Sequence, residues 1–159
     1  MKKNKKTTKK NRNYQSAAAL HNKAVSYALG EGVEQNLEQA LLFTKAAAEK
    51  GFPMAQYNLG LAYFNGDVME QDYEKGIFWL TKAAKRGVVQ AQYNLGRYYL
   101  DGIGVVEDID KAIMWFAQAA DNGNEHADEI MREWFRLHGY RMERGEGTSI
   151  TLYKMKKET

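Results

Sequence analysis

Ala55-Gln-Tyr-Asn-Leu-Gly60 returns unchanged as Ala91-Gln-Tyr-Asn-Leu-Gly96, 36 residues further on. The coincidence spreads outward from both copies at the same offset. Ala19, Ala55, Ala91 and Ala127 align, as do Tyr27, Tyr63 and Tyr99, with Phe135 next. Gly30, Gly66 and Gly102 form one glycine column, and Gly51, Gly87 and Gly123 form another. Phe43, Trp79 and Trp115 make an aromatic column, and Ala47-Ala48, Ala83-Ala84 and Ala119-Ala120 an alanine pair. An internal repeat of this length reads as a stack of supersecondary units.

Each unit reads as two helices. Ala55, Leu59 and Tyr63 fall at i, i+4 and i+8, on one helical face. Gly60 and Gly96 lie inside these first helices, where glycine costs about 1 kcal/mol against alanine. Keeping so costly a residue in both copies predicts a helix–helix approach that a Cβ would block. Gly66 and Gly102 stand where a helix would end. The second helix opens at Asn36, Asp72 or Asp108 as N-cap, and Asn36 with Gln39 fits a capping box. Its body places Ile77, Leu80 and Ala84 on one face, with Trp79 and Ala83 beside them. Such a unit cannot hide its apolar side alone and must stack on its neighbours.

The expected fold is all-α: an α/α superhelix, or solenoid, of about three helix-turn-helix repeats at roughly 19–54, 55–90 and 91–126. The pattern then decays into a capping helix over 127–138, with Arg132 where Gly60 and Gly96 stood. The repeats occupy 16–139. Residues 1–15 are expected to form a disordered basic tail and 140–159 a flexible C-terminal one, even though Ser149 to Tyr153 is β-prone.

Composition narrows the function. The chain has no cysteine, which excludes disulfides and thiolate chemistry. No apolar run reaches the length of a membrane helix, and no signal-peptide core follows the lysine-rich start, so the protein is expected to be cytoplasmic. Lys2, Lys3, Lys5, Lys6, Lys9, Lys10 and Arg12 carry the N-terminal segment without an acid, leaving 16 basic against 20 acidic residues elsewhere. His21, His126 and His138 show no helical metal-ligand spacing. Gly30-Glu-Gly32 and Gly102-Ile-Gly104 follow helices rather than strands, and so are turns, not phosphate cradles. The reading is therefore no enzyme, no cofactor and no metal.

The repeated residues resemble the Sel-1-like repeat, a cousin of the tetratricopeptide repeat. The likeness rests on Ala55-Gln-Tyr-Asn-Leu-Gly60, Tyr63, Gly66, Asp72, Lys75, Trp79, Lys82-Ala-Ala84 and Gly87. It is fuller in Ala91-Gln-Tyr-Asn-Leu-Gly96, Tyr99, Gly102-Ile-Gly-Val105, Asp108, Lys111-Ala112, Trp115, Ala119-Ala120 and Gly123. Departures are Lys23-Ala24 in place of Leu-Gly, Phe43 in place of Trp, Val68 in place of a second turn glycine, and Gly76 where alanine is usual. These departures are expected to weaken the outer repeats slightly and to leave the fold intact. The resemblance implies a protein-interaction scaffold. Some secreted, cysteine-rich relatives are described as β-lactamase-like, an activity not carried over to a chain without their cysteines.

Positions that differ between copies are free to be specific. Tyr57, Leu61 and Phe64 share a face that becomes Tyr93, Arg97 and Leu100 in the next copy and His21, Val25 and Ala28 in the first. By resemblance to tetratricopeptide arrays this face, with Asn65 and Asp101, lines a concave groove for a peptide or helix of another protein. Aromatic and arginine anchors suit that role. The alternative is a nucleic-acid- or ribosome-associated protein acting through the basic segment.

Overall fold

A computed structural model describes residues 3–145 and 150–155, with side chains from Tyr14 onward except at position 144. Seven helices appear in these residues: α1 (Lys3–Leu29), α2 (Leu37–Glu49), α3 (Pro53–Asn65), α4 (Tyr73–Ala84), α5 (Val89–Asp101), α6 (Ile109–Asp121) and α7 (Glu125–Leu137). Two strands follow, β1 (Tyr140–Arg144) and β2 (Ile150–Lys154). The chain divides into two compact units, residues 1–88 and 89–159. In the first, α1 packs on α2, α2 on α3 and α3 on α4; in the second, α5 packs on α6, α6 on α7, and α7 on β1.

The expected caps form. Asn36, Asp72 and Asp108 accept hydrogen bonds from the N–H groups of Gln39, Lys75 and Lys111 at 2.9, 2.9 and 3.0 Å. The reciprocal half of the Asn36 capping box is pre-empted. The Asn36 N–H donates to the Tyr27 carbonyl at 2.9 Å, as Asp72 does to Tyr63 and Asp108 to Tyr99. The tyrosine column thus ties the end of each first helix to the start of its second. The alanine pair has a parallel role. Gly51, Gly87 and Gly123 take positive φ, and their N–H groups donate to Ala48, Ala84 and Ala120. The next N–H groups, of Phe52, Val88 and Asn124, donate to Ala47, Ala83 and Ala119. This is the double bond of a Schellman ending.

Gly60 and Gly96 are close-approach residues as expected. A Cβ on Gly60 would stand 2.7 Å from Leu80 Cγ, and one on Gly96 2.6 Å from Phe116 Cδ1. Gly76 corrects the sequence reading. A Cβ there would stand 2.4 Å from Phe64 Cδ2, so the glycine makes room for that ring rather than weakening its repeat. At the equivalent of Gly32 and Gly104, Val68 avoids positive φ, and the turn takes another path.

Both termini differ from expectation. Helix α1 runs without a break from Lys3 into the first repeat, so residues 3–15 continue a helix rather than forming a separate coil. Met1 and Lys2 lie outside the described residues. The C-terminal segment forms an antiparallel hairpin, with Tyr140 opposite Lys154 and Met142 opposite Leu152. A hairpin alone is marginal in water. This one is anchored: Met142 is 3% exposed and joins Met131 and Phe135 in the core, with Ile150 against the same cluster. Arg132 Nη1 donates to the Met142 carbonyl at 3.2 Å. The residue that broke the glycine column therefore holds the hairpin. Ser149 lies outside the described residues.

Candidate functional site

The predicted face divides into packing residues and accessible ones. In the first unit Phe64 is only 7% exposed; its ring fills the space over Gly76 and meets Tyr73 at 5.2 Å. Burial there corrects its assignment as a contact residue. His21 is half-buried against Phe52, with ring centroids 4.7 Å apart. Its Nδ1 is buried without a hydrogen-bond partner among the described residues, and burial lowers its pKa. Tyr57 and Leu61 are half-buried and Asn65 is exposed.

In the second unit Tyr93 packs edge-on against Phe116 at 5.9 Å. Leu100 borders a small apolar hollow with Ile109, Ile113, Ile130 and Trp134. Both lean on the core cluster around Phe116 and Met131. Arg97 and Asp101 are exposed and pair loosely at 3.6 Å, one turn apart on α5. Arg97, Asp101, Leu61, Tyr57 and Asn65 therefore remain as the accessible members. Of the basic N-terminal residues, Lys2 lies outside the described residues, and Lys3, Lys5, Lys6, Lys9, Lys10 and Arg12 belong to α1 by their backbone.

Two features escaped the reading by columns. Lys75 and Lys111 bond the cap carboxylates at 2.8 and 2.7 Å and lie over the rings of Tyr63 and Tyr99. The lysine hydrogen bond holds Asp72 and Asp108 below the usual carboxylate range. The spacing Asp-x-x-Lys, twice in register, was the available signal. The second feature is an open cleft in the first unit, where the C-terminal ends of α2 and α4 meet the start of α3. Lys50, Lys82, Lys85 and Arg86 line it, with Glu49 and Gln56. Its cations lie on segments distant in sequence, so no local motif marks it.

No helix among the described residues is long and apolar enough to cross a membrane. These residues also hold no cluster of three or more metal-ligating side chains.

The Sel1 repeat family model matches residues 17–52, 53–88 and 89–124. A crystal structure of a Sel1 repeat protein from Oxalobacter formigenes is 37% identical, with a TM-score of 0.71, over 81% of this chain and 98% of that one. The protective antigen c5321 of uropathogenic Escherichia coli, described as displaying an SLR fold, is 33% identical with a TM-score of 0.73, over 77% of this chain and 26% of its own. Helicobacter pylori cysteine rich protein B, at 23% identity and a TM-score of 0.60 over 74% of this chain and 93% of its own, shares the fold. No curated protein sequence matches. The fold is thus all-α, of the α/α solenoid class, and three consecutive matches with 36-residue spacing establish that the chain belongs to the Sel1 repeat family.

Proposed function

We propose that the chain is a non-catalytic adaptor that holds a peptide or helix of a partner protein on the varied face of its first helices. Sel1 repeat proteins generally act in protein–protein interaction. The observation that carries the finer reading is the change from Val25 to Leu61 to Arg97 at one position of an otherwise repeated helix. Leu61 and Arg97 are accessible, and so is Asp101 beside Arg97. In the first unit Tyr57 and Asn65 accompany Leu61 on its helix, and in the second Tyr93 and Leu100 accompany Arg97.

Affinity capture from native lysate, comparing wild type with a Leu61→Ser/Arg97→Glu double variant, tests the reading. A partner retained by wild type and lost by the folded variant is the expected result. An identical set of captured proteins overturns it. A nitrocefin assay tests the absence of β-lactamase-like turnover; measurable hydrolysis sinks the non-catalytic reading.

A second reading has one observation in its favour. Helix α1 carries the basic segment on a continuous helical backbone from Lys3, so it does not need to fold on binding. Nucleic-acid binding through it should fall steeply with salt. It should vanish when the seven cations become glutamine, and no binding at low salt overturns this reading.

A further inference from the structure

We infer that the cleft between the ends of α2 and α4 is a docking site for an acidic peptide segment of a partner protein. Lys50, Lys82, Lys85 and Arg86 converge on it, and Glu49 is the one acid lining it. Among the described residues none of these four cations forms an ion pair. Lys82 instead lies over the rings of Phe78 and Trp79, at 4.3 and 4.7 Å. Phe78 is 52% exposed, so an apolar platform adjoins the charge.

Helix-dipole compensation does not account for the cluster. Cations do favour helix C-termini. Yet the second unit puts Gln118, Asp121 and Asn122 at the positions of Lys82, Lys85 and Arg86. The helix end therefore does not require cations at these three positions, where the second unit has two neutral residues and one acid. A separate open cleft in the second unit, where α6 ends and α7 begins, is lined by Asp121, Glu125, Asp128 and Glu129.

Gln56 narrows the ligand class. It is 4% exposed, lines the cleft, and donates from Nε2 to the Ala48 carbonyl at 3.1 Å. Its Oε1 has no partner among the described residues. In the second unit the equivalent Gln92 Oε1 accepts from Asn122 Nδ2 at 3.1 Å. Arg86 stands at the position of Asn122, with its guanidinium lying over Gly51. The cleft thus offers four cations and one buried acceptor. A polypeptide with carboxylate side chains supplies both complements, acids for the cations and an N–H for Gln56 once Arg86 turns toward the ligand. A phosphate chain supplies acceptors only and leaves Gln56 unmatched.

The test uses the full chain and two fluorescein-labelled peptides, one of repeating Glu-Ser-Gly and one of repeating Gln-Ser-Gly, read by anisotropy at low salt. The glutamate peptide is expected to bind and the glutamine peptide not. Lys82→Glu/Arg86→Glu should weaken binding by about tenfold or more, and Lys82→Gln/Arg86→Gln by less, since opposed charges cost more than absent ones. Circular dichroism confirms that both variants are folded. Neutralising the seven N-terminal cations, or replacing Arg97 by Glu, should leave the affinity within about twofold. The Arg97 arm separates this site from the varied-face reading. The inference is overturned by equal affinity in the charge-reversed chain, by equal binding of the glutamine peptide, or by binding that disappears with the N-terminal cations. Inorganic polyphosphate binding more tightly than the peptide at these same residues also overturns it.

Discussion

The α3–α4 and α5–α6 pairs use the same glycine and fill the space around it differently. Gly60 faces Leu80, whereas Gly96 faces the larger Phe116. One turn further along the first helix the sizes reverse. Phe64 occupies the position of Leu100, and Gly76 that of Ala112. Bulk gained at one contact is given up at the other. Between α3–α4 and α5–α6 the repeat thus conserves packed volume rather than residue identity, as a close-packed interior requires. The α1–α2 pair departs from this rule: Ala24 and Thr44, both buried, stand where the others have glycine with leucine or phenylalanine, and Ala28 and Ala40 stand where they have Phe64 with Gly76 or Leu100 with Ala112.

The largest effect expected from breaking this scheme is in the shared core. Leu95 is 0% exposed, and Leu95→Ala should cost about 2–5 kcal/mol in urea unfolding. A midpoint unchanged within error would show that the leucine column is not what holds α5. The sharper test exchanges one pair for the other. Gly76→Ala gains about 1 kcal/mol in helix propensity but drives a methyl into the Phe64 ring, and overpacking of that kind costs about 1–3 kcal/mol. The single variant should be less stable than wild type. Adding Phe64→Leu reproduces the Leu100–Ala112 pair and should recover most of the loss. Additive effects in the double variant would refute the exchange of volume.

How much of this was legible follows from where each signal lies. The repeat, the caps at Asp72 and Asp108, and the close approach at Gly60 and Gly96 were readable because each is a local residue type recurring in register. Phe64 was misplaced because periodicity assigns a face but not the depth of the neighbour. Only the pairing with Gly76, twelve residues on and on another helix, shows that its ring turns inward. The hairpin was missed for a related reason: Met142 and Ile150 have little apolar company in sequence, and their partners Met131 and Phe135 are on α7. The cationic cleft gathers residues from two helix ends that no window of sequence joins.

The first repeat also carries a histidine where the other two have tyrosine. His21 has a lowered pKa through burial against Phe52, while Tyr57 and Tyr93 hold the equivalent positions. A histidine whose folded pKa lies below its unfolded value of about 6.5 stabilises the fold fully above that value. The contribution is lost as pH falls from there toward the lowered folded pKa. Wild type should therefore lose thermal stability between about pH 7.5 and about pH 5.5, and His21→Phe should lose less over the same interval. Parallel profiles would show that the ring is not held neutral by packing.

The smallest effect concerns the turn after the first helix. Gln35 Nε2 donates to the Ala28 carbonyl at 2.8 Å, and Gln71 Nε2 to the Phe64 carbonyl at 2.6 Å, each closing the last turn of its helix. The third repeat has Glu107 at this position. An ionised carboxylate has no proton to donate, and it brings negative charge to a helix C-terminus, where the dipole already ends negative. Glu107→Gln restores the donor and removes the charge. It should raise stability by about 0.5–1 kcal/mol, at the low end because the site is exposed. The gain should persist in high salt if the hydrogen bond supplies it, and shrink with salt if relief of charge does. A destabilised Glu107→Gln chain would mean that the third turn is built differently from the first two.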